Sequence, residues 1–369
     1  MVKTQPLIAQ ADNLATQLVI LCAVLVAAGG MFATACTLSG CGTASDDTAT
    51  TSGSSTAAAP STIPTGNSVA PPESPLPTPN SGPPSSRELP LFDRTLKCDL
   101  VEKLPEPPRL VIFGGSRAQR LSPATLHKLT GHPTFNFAVQ NNRPEDAYAM
   151  ARYLFDRAPA VKLRCLWALQ VTTMDDQDLH AGLLTEPRLN RYLPPALIAA
   201  QNELPLKTKG RAIGPSIKFG SRGDLLHNHY DEQIAKGVPL QQRLDTTIRR
   251  MQPWVKMREP EIGPRAHLYF ERTIELFNRH GVTPVLVIMP YQPRVLQAIR
   301  DVGWDRWDQT LDDYLARLRE RYRFVLLDYS DLTRFGGDHQ EYYDGAHMTA
   351  SNSNRLLEQA VKDAAAALR

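Results

Sequence analysis

Between Gly42 and Pro90 the chain has no aromatic residue, and ten of its thirty prolines fall there. Ser, Thr, Ala and Gly fill most of the rest. A stretch so poor in large apolar side chains cannot bury enough surface to offset its chain entropy, which excludes a packed domain and predicts a disordered tether. Excess charge of one sign is also missing. Lys and Arg number 41 against 38 Asp and Glu, a formal charge of +3. That argues against a nucleic-acid partner, which would ask for a basic stripe. Cysteine is scarce: of five, Cys22, Cys36 and Cys41 lie in the first 41 residues, leaving Cys98 and Cys165. Those two allow a single bridge at most, and two buried free thiols fit as well, since Cys165 sits inside an apolar run. No internal repeat is visible.

Behind Lys3 comes the apolar run "LVILCAVLVAAGGMFATACTLSGC", which reads as an export signal or membrane anchor. Its end, Leu38-Ser39-Gly40-Cys41, resembles a bacterial lipoprotein cleavage box. The resemblance implies that the Cys41 thiol takes a diacylglycerol and becomes the new N-terminus. An uncleaved spanning helix is the other reading the length permits. Both place the rest of the chain outside the cytoplasm and attached to the membrane. The expected organisation is therefore a signal or anchor over 1–41, a tether over 42–90 that lifts its cargo off the surface, and a globular domain over 91–369.

Within that domain, short apolar runs alternate with helical patterns. "RLVIF" (109–113) ends in Gly114-Gly115-Ser116, as expected of a buried parallel strand feeding a turn. Ser122 and Pro123 open a helix; "TFNFAV" (134–139) is a second strand; Pro144 opens the next helix. "KLRCLWALQV" (162–171) is a third strand, "VTPVLVIMP" (282–290) a fourth and "RFVLLDYSDL" (323–332) a fifth. Amphipathic helices precede the fourth, with Gly281 as the stop, and the fifth, and one closes the chain. The alternation predicts an α/β fold: a flavodoxin-like, three-layer, doubly wound parallel sheet in strand order 2-1-3-4-5. Residues 175–264 break the rhythm with many prolines and glycines. They read as a long insertion after strand 3 that shapes a pocket rather than holds the core together.

In such a sheet the chemistry lies at the carboxyl ends of the strands. Strand 1 delivers Ser116 there, and the loop after strand 5 delivers Asp344 and His347. A serine hydroxyl needs a base to take its proton, and a histidine base needs an acid to hold its tautomer. Separately, a "GGS" turn and an Asp-x-x-His are ordinary: the first is a common strand end, the second a helix cap or half a metal site. Their placement at the first and last strand ends of one sheet is what points to a Ser-His-Asp site.

These motifs resemble the SGNH (GDSL-like) hydrolase family over roughly residues 108–369, apart from the insertion. "VIFGGSRA" matches the nucleophile block, with Gly115 where Asp is commoner, and "DGAHMT" matches the terminal block. The resemblance implies catalytic Ser116, His347 and Asp344. It also implies oxyanion donors from the serine amide, from a glycine amide after strand 2 and from an asparagine after strand 3. Here Asn141 replaces the glycine, and Gln170 or Thr172 stands in for the asparagine.

Arg117 reads as a solvated turn residue or, less readily, as a contact for a substrate anion. Tyr291 and Gln292, after strand 4, read as pocket rim. His227 and His229 have metal-like spacing but no carboxylate or cysteine set beside them, so they read as surface loop, and no metal or cofactor is expected. The implied function is an extracytoplasmic esterase or O-acyltransferase acting on an ester of a carbohydrate, cell-wall polymer or lipid. The alternative is a catalytically inactive member of the fold serving as a binding or assembly module at the cell surface.

Overall fold

Residue alternation in the strands explains the layering. In β1 (Leu110–Gly114), Val111 and Phe113 belong to one buried apolar cluster, and Leu110 and Ile112 to another. In β3 (Arg164–Leu169), Cys165, Trp167 and Leu169 join the first cluster, Leu166 and Ala168 the second. Successive side chains point to opposite faces, so a strand that is apolar throughout demands cover on both. The computed structural model describes residues 91–202 and 212–369 and provides that cover. The strands pair in the order β2 (Thr134–Asn136), β1, β3, β6 (Val285–Ile288), β7 (Val325–Asp328), all parallel. This is the expected 2-1-3-4-5 order. The 1–41 leader with Cys41, and the 42–90 tether, lie outside the described residues.

One face is covered by α3 (Pro144–Arg157), α9 (Pro264–Arg279) and α11 (Asp305–Arg319), through residues such as Leu154, Phe270, Phe277 and Trp307. The other is covered by α2 (Pro123–Thr130) and α12 (Ala350–Asp363), through Leu126, Leu356 and Val361. Local chemistry sets the helix ends as expected. Ser122 Oγ accepts the Thr125 amide at 3.1 Å with Pro123 in the first position. Two further helices lie outside the alternation that the sequence pattern predicts: α1 (Asp93–Glu102), ahead of the first strand, and α10 (Pro293–Arg300), after β6. Cys98 and Cys165 are both buried and both free.

The insertion contains short helices over Ala181–Thr185 (α4), Pro187–Asn190 (α5) and Pro195–Asn202 (α6). A small antiparallel hairpin follows, β4 (Lys218–Phe219) with β5 (Leu225–His227), then α7 (His229–Ala235) and α8 (Leu240–Lys256). The expectation that it stands outside the core needs correction. Leu179, Leu183, Leu184, Leu189, Leu193, Leu244 and Val255 all belong to the larger buried cluster. The hairpin is docked as well: the Leu225 amide donates to Gln119 O at 2.8 Å, and the Asn136 amide to Arg222 O at 2.9 Å. Lys97, fully buried in α1, donates to Asn136 O at 2.8 Å and to Gly223 O. Burial pushes its ammonium down to about 7, against the pull of Asp93 and Asp224. Proline and glycine mark where this segment turns; they do not reveal that the leucines between the turns face inward.

Candidate active site

Strand β1 ends at Gly114, whose φ of 145° lies where side chains are strained and whose Cβ would come 2.9 Å from both Ala118 Cβ and Ala168 O. The chain can therefore turn sharply against β3 and present Ser116 at the start of a short 3-10 turn, Ser116–Ala118. The Ser116 Oγ lies 2.9 Å from His347 Nε2. His347 Nδ1 lies 3.0 and 3.1 Å from the two Asp344 carboxylate oxygens. Residues 231 positions apart in the chain are thus joined by hydrogen bonds.

Asp344 is 4% exposed. Burial would raise its carboxyl, but the His347 imidazole beside it and the amides of Ala346 and His347, each donating at 2.7 Å, outweigh that and hold it well below the usual carboxylate range. The acid is ionised, aimed at Nδ1, and leaves Nε2 for the serine.

Arg117 is neither solvated nor free for a substrate. It is 7% exposed, and its guanidinium donates to Met289 O at 2.7 Å, to Ala346 O at 3.2 Å and to Pro290 O. It also stacks 4.0 Å over the Tyr291 ring. An arginine can satisfy several carbonyls at once with its planar fork. Here it straps the serine turn to the end of β6 and to the histidine loop. Arg120 is a second strap, donating to Asn228 Oδ1 at 3.1 Å, to Tyr343 Oη at 3.1 Å and to Asp231.

Of the donor candidates, Asn141 shares a cavity of about 310 Å³ with Ser116 and His347. Its φ of 49° makes it the one non-glycine residue with positive φ among the described residues. Asn tolerates that region better than most side chains, so this position can follow a backbone path that otherwise favours glycine. Gln170 sits instead behind the serine turn: a Cβ on Gly115 would meet its Nε2 and Oε1 at 3.0 Å. Gln170 thus occupies the room a side chain at position 115 would need. Thr172, in the turn Val171–Thr173, does not line the cavity. Asn142 carries no signal in the sequence. It is buried beside Gly115 and Gln170, and its Nδ2 makes no hydrogen bond within the protein.

The loop carrying Asn141 is pinned from both sides. The Gln140 amide donates to Asp93 Oδ2 at 2.5 Å, and Arg94 donates to Gln140 O at 2.8 Å. The Arg143 amide donates to Asp146 Oδ2 at 3.0 Å.

The insertion supplies the opposite wall through Asn228, His229, Tyr230 and Arg250. "HNHY" is therefore not loose surface: Asn228 caps α7, and the Tyr230 ring lies 4.9 Å from that of His347. Burial first, then the Asp344 carboxylate, push the Tyr230 hydroxyl up, so it stays protonated. Nothing in the local pattern marks Tyr230 or Arg250; only a longer-range contact could have found them. Tyr291 and Gln292 line a different and larger cleft, about 1090 Å³, over the ends of β6 and β7. It contains neither Ser116 nor His347. Among the described residues, no group of three or more His, Cys, Asp or Glu could hold a metal ion, and no helix is long and apolar enough to cross a membrane.

No family model matches the chain, and no curated protein matches it. Among solved structures it is similar to a candidate platelet activating factor from Streptococcus pneumonia. That likeness has 13% identity and a TM-score of 0.36, covering 73% of this chain and 90% of that one. It is also similar to a candidate acylhydrolase from Bacteroides fragilis, with 11% identity and a TM-score of 0.34, over 73% of this chain and 95% of the other. Likenesses of this size say nothing about chemistry. The strand order and the helical insertion after the third strand, read from the backbone itself, are consistent with an SGNH-hydrolase-like fold.

Proposed function

We propose that the chain is a serine esterase or O-acyltransferase held outside the cytoplasm on a membrane. The observation that carries this reading is the unbroken hydrogen-bond chain from Ser116 Oγ through His347 to Asp344. Ser116 Oγ attacks the acyl carbonyl as His347 Nε2 takes its proton, and the buried Asp344 carboxylate stabilises the imidazolium that forms. The amides of Ser116 and Asn141 are the candidate donors to the developing oxyanion, and the Asn142 side chain, next to Asn141 in the same loop, is a secondary candidate. His347 returns the proton to the leaving alkoxide. The acyl group then passes to water or to a hydroxyl of a carbohydrate, cell-wall polymer or lipid. An inactive binding module is the alternative, and the replaced glycine and asparagine favour it. The left-handed backbone retained at Asn141 and the seated triad favour the enzyme.

A fluorophosphonate probe tests this directly. Labelling of the wild type and none of Ser116→Ala is the expected result. An unlabelled wild type, with no turnover of chromogenic acyl esters of any chain length, would leave the binding module as the better reading.

Attachment is a separate proposal, because Cys41 lies outside the described residues. Cys41→Ser should leave the leader uncleaved or release the protein from the membrane fraction. Unchanged processing and retention would exclude lipidation.

A further inference from the structure

We propose that the substrate carries an anionic oxygen group, a carboxylate or a phosphate, near its ester, and that Arg250 receives it. This rests on the esterase or acyltransferase reading above and adds a substrate class to it. Among the described residues, the cavity holding Ser116 and His347 is bordered by three arginines and two histidines, and by no Asp or Glu. Two of the arginines are committed elsewhere. Arg117 is spent on the carbonyls of Met289, Pro290 and Ala346, and Arg120 on Asp231, Asn228 and Tyr343.

Arg250 is not committed in that way. It is an exposed residue of α8 that hydrogen-bonds the protonated Tyr230 hydroxyl, and that hydroxyl also hydrogen-bonds the buried Asp344 carboxylate, which is already paired with His347. The acids nearest to it in sequence are taken: Asp245 pairs with Arg294 at 2.5 Å, and Glu259 with Arg306 at 2.9 Å. Tyr230 in turn lies against His347, so the Arg250 guanidinium is held one side chain away from the base. A cation that forms no ion pair among the described residues, on the wall of a partly enclosed cavity, attracts an anion more strongly than it would in open water. The rest of the lining suits a polyol with a short acyl chain: Gln119, Gln140, Ser216 and Asn228 are polar, and Ile217, Leu225 and Met348 supply a small apolar patch. A guanidinium takes planar carboxylates and phosphates alike, so both sources share this chemistry.

The test compares four acetyl esters on the full chain: those of glycerol, glycerol phosphate, glucose and glucuronate. Wild type should prefer each anionic ester over its neutral partner by about tenfold or more in kcat/KM, as a charge-assisted hydrogen bond supplies. The preference should shrink as ionic strength rises. Arg250→Gln should bring the ratio close to one, and Arg250→Lys should keep part of it. Whichever anionic ester leads distinguishes phosphate from carboxylate. A wild-type ratio near one, or a ratio unchanged in Arg250→Gln, overturns the proposal. If no ester turns over and the fluorophosphonate leaves Ser116 unlabelled, the parent reading fails by itself. Calorimetry then decides on Arg250 alone, with glycerol phosphate and glucuronate against glycerol and glucose. Anion binding that Arg250→Gln abolishes upholds the site; binding no better than that of the neutral partners removes it.

Discussion

Asp344→Asn is expected to lower turnover by up to about ten thousandfold on any ester the wild type cleaves. The native carboxylate accepts from His347 Nδ1 at 3.0 and 3.1 Å and is held ionised by two backbone amides. An amide of the same shape can donate as well as accept. It favours the wrong imidazole tautomer and leaves the imidazolium without a counter-charge. Ser116→Ala should lose at least as much, and the double variant little more, because such residues act as a unit. Stability provides an independent control. The folded Asp344 carboxyl titrates below its unfolded value. Its contribution is therefore present above about pH 4, the unfolded carboxylate range, and is lost as pH falls through the lower folded value. Urea unfolding at several pH values should show less of that acid-side loss in Asp344→Asn. Near wild-type turnover in this variant would remove Asp344 from the mechanism and leave the loop as a helix entry only.

Arg94→Met is expected to destabilise the domain by about 3–5 kcal/mol, the range for removing one partner of a buried ion pair. Arg94 is fully buried and donates to both Asp146 oxygens, at 3.0 and 2.8 Å, to Asp93 at 3.1 Å and to Gln140 O at 2.8 Å. Its loss takes the paired cation from two buried carboxylates, Asp93 and Asp146, and leaves them only neutral donors. It also frees the loop that presents Asn141, so the surviving folded fraction should turn over more slowly than wild type. Adding Asp146→Leu to Arg94→Met should recover part of the stability, because one uncompensated charge is then gone. Denaturant titration of the two single variants and the double variant measures that coupling. A cycle that adds without coupling would show that Asp146 does not depend on Arg94. The loop would then be held by Asp93 and by the α3 end alone.

Legibility in the sequence follows the range of the interaction. The five strands are readable because a strand covered on both faces must be apolar at every position, as β1 is from Leu110 to Phe113. Ser122-Pro123 and Gly281 are readable because caps and stops are satisfied within a few residues. Ser116, Asp344 and His347 are readable for a related reason. The α/β alternation sends strand ends to one edge, so three residues far apart in the chain share an address before any contact is known. Beyond that, only tertiary structure decides. Arg117 looks solvated in sequence because arginine usually is, and its carbonyl partners at Met289, Pro290 and Ala346 lie more than 170 positions away. Arg94, Tyr230 and Arg250 carry no local signal, since burial and charge pairing are set by which distant element packs on them. Residues 175–264 were legible as irregular but not as core, because turn residues announce where a chain bends and not what its leucines meet. Sequence alone determined the sheet, its edge and the three groups delivered there. Packing over long separations decided which arginines became straps, which one was left facing the cavity, and that the insertion closes the site.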